Sequence, residues 1–170
     1  MIGMNTSGTI EPKVNKPQYV AALEVSYGAP SQNAFGSAVF FELVKQESAL
    51  EQAALQMYKY FVGELWERYG EKAWMSAWKQ VYARPAGLKH DIVTELRGIA
   101  DPGVSGSVEM VLDVVENAEA AHKALSNAYD DQQVVELRVY NLGDGAAMSG
   151  LMIAGRRSSG EALFLVFLYD

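Results

Sequence analysis

The sequence predicts an α+β fold: a mostly antiparallel, curved sheet with a helical layer on one face and a C-terminal three-stranded meander. Three observations carry this expectation. Val134–Leu142, Ala147–Arg156 and Ala162–Tyr169 are β-rich runs separated only by Gly143-Asp144-Gly145 and Arg157-Ser158-Ser159-Gly160, which are turn sequences too short for a crossover helix. Ser48 to Gly70 instead repeats its apolar residues every three or four positions. Finally, 170 residues that are 49% hydrophobic and 21% charged suffice for one domain with its own core. Residues 1–17 mix Gly, Asn, Thr, Ser, Pro and Lys without periodicity and are expected to form an extended N-terminal arm, with a single domain over 18–170.

Along that domain, Tyr19 to Tyr27 alternates loosely before the turn formers Gly28 to Asn33 and predicts a strand. Phe35 to Val44 fits both periods, and its Gly36, Val39, Phe40 and Phe41 favour a second strand. Ser48-x-x-Glu51 has the form of a capping box, after which Leu50, Ala54, Met57, Phe61, Leu65 and Tyr69 mark a helix ending at Gly70. A second helix is expected from Glu71 to about Ala83, stopped by Pro85. Ser107 to Val115 alternates as a strand, and Asn117 to Tyr129 carries the stripe Ala118, Ala121, Leu125 and Ala128 of a helix. Ala162 to Tyr169 is apolar on both faces, so it must be covered on both sides or become an aggregation segment.

Composition narrows the function. With no cysteine, thiolate chemistry, disulfides and cysteine metal sites are excluded, and only His90 and His122 remain as imidazole ligands, at no metal-binding spacing. No cofactor is expected. Gly143 to Gly150 fails as a dinucleotide fingerprint, because Met148 stands where the third glycine belongs and a strand follows. A net charge of −7 opposes direct binding to nucleic acid or to an anionic membrane. The longest apolar run, Leu163 to Tyr169, is too short to span a bilayer. Met1 to Gln18 lacks an apolar stretch behind a basic start, so a cytoplasmic location is the expectation.

The charge is unevenly placed. Between Gly98 and Glu136 stand eight acids against one base, Lys123, while the rest of the chain is balanced at thirteen of each. Asp113, Glu116, Glu119, Asp130, Asp131 and Glu136 are expected to gather at the ends of the short helix into a negative patch that steers a basic protein partner. Tyr60, opposite the core stripe of its helix, and Trp66, at its margin, are candidate interface aromatics. The favoured function is therefore a non-enzymatic acidic binding module, of inhibitor, immunity, chaperone or assembly-subunit type, with homo-oligomerisation a further option. The alternative is a ligand-binding or enzymatic pocket under a helix-roofed curved sheet. By fold-level analogy alone, that architecture is similar to cystatin-like and nuclear-transport-factor-like scaffolds. There Glu24, Tyr27 and Asp144, with Glu42, would meet in the cleft.

Overall fold

The computed structural model describes residues 16–170. The arm expected over 1–17 lies, but for Lys16 and Pro17, outside the described residues. The strands are β1 (Gly36–Leu43), β2 (Lys79–Ala83), β3 (Val134–Gly143), β4 (Ser149–Arg157) and β5 (Glu161–Tyr169). They form one antiparallel sheet in the order β1-β5-β4-β3-β2. The C-terminal meander is thus present, and β5 is interior, flanked by β1 and β4. One row of paired residues crosses the sheet as Val39, Leu165, Ile153 and Val139, all fully buried. The row beside it runs Phe40, Phe164, Ala154 and Arg138 on the opposite face.

Helices cover both faces. The expected layer is built from α2 (Leu50–Val62), α3 (Glu64–Tyr69) and α4 (Glu71–Met75), which pack Leu50, Tyr58, Phe61, Trp66 and Trp74 against Phe164, Val166 and Leu168. A second layer, α1 (Gln18–Tyr27), α5 (Ile92–Arg97), α6 (Ser105–Glu109) and α7 (Ala118–Tyr129), buries Leu163, Leu165 and Phe167 on the other side. This second layer supplies the cover that a strand apolar on both faces requires.

Three elements depart from the sequence expectation. Residues 19–27 are helical, not extended: Val20, Leu23 and Tyr27 fall on one helical stripe and are buried together. Gly28 ends that helix at φ 103°, where its N–H donates to the Glu24 carbonyl, and a Cβ there would sit 2.9 Å from the Ser37 oxygen. Residues 105–114 are also helical, because Val104, Val108, Val111 and Leu112 recur at helical spacing and are buried together on one stripe. The helix expected over 71–83 stops at Met75, and 79–83 pair with β3 as an edge strand. Trp78, at the junction, stacks on Tyr140 with ring centroids 4.6 Å apart, which fixes the chain against the sheet where a longer helix would leave it. The long helix also breaks at Gly63 (φ 67°), which separates α2 from α3.

The C-terminus of α7 organises a buried polar network. Its last carbonyls have no partners within the helix and attract cations through the helix dipole. Arg84 donates to the Tyr129 carbonyl at 2.9 Å, and Arg157 donates to those of Ala128 and Asn127 at 3.0 and 3.3 Å. Arg84 is held in turn by a fork to Glu95 at 2.8 and 2.7 Å, with both side chains only 5% exposed. Burial would push the Glu95 carboxyl up, but the donors Arg84 and Tyr82 outweigh it and hold Glu95 below the usual carboxylate range. Burial also pushes the Tyr82 hydroxyl up to about 12, so it remains a donor to Glu95 at 2.6 Å. Asp130, 3.2 Å from Arg84, is shifted the other way: burial dominates and raises its carboxyl.

Two predictions follow from this packing. Gly155 leaves room for the Tyr129 ring, which a Cβ would approach to 2.8 Å, so Gly155→Ala should cost about 1–3 kcal/mol in urea unfolding. Glu95→Gln removes the forked partner of buried Arg84, leaving it only Asp130 at 3.2 Å, and should cost about 3 kcal/mol at neutral pH. The contribution of Glu95 is complete above about pH 4.3 and is lost as acid titrates its lowered folded value, so the Glu95→Gln penalty should shrink in acid. Asp130 has the opposite sign: its contribution is full below about pH 3.9 and is lost as pH rises through its raised folded value. The Asp130→Asn penalty should therefore grow in acid, and parallel pH slopes for the two variants would refute this account.

Candidate functional site

The structure neutralises most of the acidic segment internally. Asp101 pairs with Lys79 at 2.7 Å, Asp113 with Arg97 at 2.9 Å, Asp130 with Arg84 at 3.2 Å, and Asp131 with Arg157 at 3.6 Å. Glu136 bridges Arg156 at 2.7 Å and Arg138 at 3.2 Å, on the sheet face covered by α2. Asp130, Asp131 and Glu136 therefore do not join one docking patch with Glu116 and Glu119; each is occupied by an arginine brought in from another element. Glu109, Glu116 and Glu119 are exposed and have no ion-pair partner among the described residues. These three lie within eleven consecutive positions that run from the end of α6 into the first turn of α7.

Between them the chain forms a π turn, Met110–Val114, that stands out as a ridge. Several side chains fix it. Tyr27 donates its hydroxyl to the Val111 carbonyl at 2.8 Å, and the His122 Nε2 lies 2.7 Å from the Leu112 carbonyl. Arg97 forks Asp113 at 3.1 and 2.9 Å from α5, and that hydrogen bonding holds the Asp113 carboxyl below its ordinary value. Asn117, left-handed at φ 54°, turns the chain and caps α7 by accepting from the Ala120 N–H.

The ridge has a hollow on each flank. The smaller, about 140 Å³, is walled by Tyr27, Met110, Val111, Val115 and Phe167, with the 58% exposed Val114 at its edge. The larger, about 480 Å³, has Leu96, Ile99, Val104 and Val108 as apolar walls and Arg97, Glu109 and Asp113 as charged members. Of the charged groups lining the larger hollow, Arg97 and Asp113 pair with each other, and Glu109 has no ion-pair partner among the described residues.

The other sequence candidates lie elsewhere. Trp66 is buried at 3% exposure, edge-on to Tyr58 at 5.2 Å, and is core, not interface. Tyr60 is exposed as expected and packs edge-on to Phe40, but it belongs to the α2 layer, across the sheet from the ridge. The pocket residues do not converge. Glu24 pairs with Lys16 at 2.7 Å, Tyr27 is engaged with Val111, and Asp144 accepts from the Ala146 and Met148 N–H groups in the β3–β4 turn, while Glu42 lies exposed on the edge strand β1. A polar cleft of about 410 Å³ at Lys89, His90 and Asp130 adjoins the buried network, but Asp130 is already held there by the Ile92 N–H and Arg84. Among the described residues, no group of three or more His, Asp or Glu side chains is placed to hold a metal ion, and no helix is long and apolar enough to cross a membrane.

Compared with known proteins, the chain matches no family model, no curated protein and no solved structure. Geometry alone therefore carries the functional reading. Glu109 is one of the eight acids of the segment, with no pattern that singles it out in sequence, and Val114 fits one face of the strand expected over 107–115. The available signal was the balanced charge of the rest of the chain, whose Lys79 and arginines are the partners of the neutralised acids.

Arg97→Gln tests how the ridge is held. The Asp113 carboxyl should titrate below the usual range in the wild type and move up toward it in the variant, as followed by carboxyl-carbon NMR; an unmoved titration would remove Arg97 from that role.

Proposed function

We propose that this chain is a non-enzymatic protein-binding module that docks a basic partner through the Glu109–Glu119 ridge. The observation that carries this reading is the selective exposure of charge. In a segment whose other carboxylates are each matched by a lysine or arginine, Glu109, Glu116 and Glu119 alone remain unmatched among the described residues, and they flank the exposed Val114 along the chain. Glu119 also gains from the dipole of α7, in whose first turn it lies, but that contribution needs no solvent-facing companions. Unpaired carboxylates raise the local concentration of a cationic partner and speed its association, and the hollow beside Val114 offers an apolar anchor once contact is made. An inhibitor, an immunity-type protein, a chaperone or an assembly subunit for a basic protein would work in this way.

The triple reversal Glu109→Lys, Glu116→Lys, Glu119→Lys should leave the fold intact, because none of the three is paired. A basic partner isolated with the wild type should associate with it at least about tenfold faster at low salt than with the triple variant, measured by stopped-flow mixing. Asp131→Asn, at a neutralised site, should retain the wild-type rate. Equal rates for the wild type and the triple variant would refute the ridge as the docking face.

A further inference from the structure

We propose that the larger hollow beside the ridge is a receptor for one lysine or arginine side chain of the partner; this rests on the docking reading above. The lining has the layered chemistry of such a side chain. Leu96, Ile99, Val104 and Val108 supply apolar walls for an alkyl stem, and carboxylates supply the charge for its tip. A wholly apolar occupant would desolvate Glu109 without compensation. An anionic occupant would meet two carboxylates and one guanidinium, and that guanidinium is already forked by Asp113. With Arg97 and Asp113 satisfying one another, the uncompensated charge of the hollow is that of Glu109, the exposed acid at the end of α6. A cation on a flexible stem complements that arrangement. At about 480 Å³ the space admits the stem, the head group and its bridging water.

The site is also pre-formed. Val104 and Val108 are anchored in the core, and Asp101 caps the turn leading into α6 by accepting from the Gly103 N–H at 2.8 Å. On the opposite wall, α5 is tied to the ridge by the Arg97 fork. A side chain entering here therefore loses its own freedom without requiring the walls to order, which favours affinity.

The test is an amide NMR titration of the labelled, full-length protein with two probes: Nα-acetyl-lysine N-methylamide and its norleucine counterpart, which keeps the stem and lacks the charge. The lysine probe should give saturable shifts centred on Leu96, Ile99 and Val104 to Glu109, and the norleucine probe should bind more weakly. Glu109→Gln should weaken the lysine probe by up to about fivefold, as expected for one exposed charge pair. Ser105→Trp, which places an indole at the exposed edge of the hollow, should abolish the localised shifts while thermal melting confirms the fold. Equal binding of both probes, or lysine-probe shifts that persist in Ser105→Trp, would overturn the assignment. If the lysine probe fails while the triple reversal still slows partner association, this receptor is refuted and the docking face stands. If the lysine probe binds but partner association ignores Ser105→Trp, the hollow takes a free amine and the partner-side-chain assignment is overturned.

Discussion

A strand with no polar face governs this architecture. β5 presents Ala162, Phe164, Val166 and Leu168 to one side and Leu163, Leu165 and Phe167 to the other, and both sets are buried. Such a strand has to be interior and roofed twice. The chain meets both demands by bringing β1 from its N-terminal half to the outer side of β5 and by distributing its helices to the two faces. The edges left over are short or obstructed. β2 is five residues long with an irregular register at Val81, and the Gly28 carbonyl accepts from Val39 on the outer side of β1.

The second organising demand is electrostatic. The C-terminus of α7 lies against the sheet, and the open carbonyls of its last turn are met by Arg84 and Arg157. Guanidinium groups drawn this far from water need anionic partners, which Glu95, Asp130 and Asp131 provide. On the other face Arg156 makes the same demand of Glu136. Much of the acidity that looks like a surface property in sequence is thus a consequence of packing one helix end and two strand ends.

Within the acidic segment, Glu109, Glu116 and Glu119 are the exposed acids without an ion pair among the described residues. These acids lie on either side of the π turn that carries Val114, before the left-handed Asn117 and in the first turn of α7, while Tyr27 and His122 hold the carbonyls of that turn. Residues that resembled candidate acids or bases, such as Tyr27 and His122, are the supports of the ridge. Of the proposed contact surface, Glu116 and Glu119 belong to the patch expected from the sequence, while Glu109 and Val114 do not.

The sequence by itself determined the α+β class, the C-terminal meander, strand β1, the α2 and α7 helices and the need to cover β5 twice. The α2 and α7 helices rest on a clear 3.6-residue stripe, the meander on its turn sequences and the double cover of β5 on a run apolar at every position, while β1, where both periods fit, rests only on its β-branched and aromatic residues. Tertiary structure decided the segments 18–27 and 105–114. A loose alternation reads over both segments as strand, yet Val20, Leu23 and Tyr27, or Val104, Val108, Val111 and Leu112, share a face only at helical spacing and are buried on it because the sheet offers a surface there. It also decided which carboxylates stay free, since Asp113 meets Arg97 across 16 positions, Glu136 meets Arg156 across 20 and Asp130 meets Arg84 across 46. Net charge is additive along a chain, but its exposure depends on pairings between residues that only folding brings within reach.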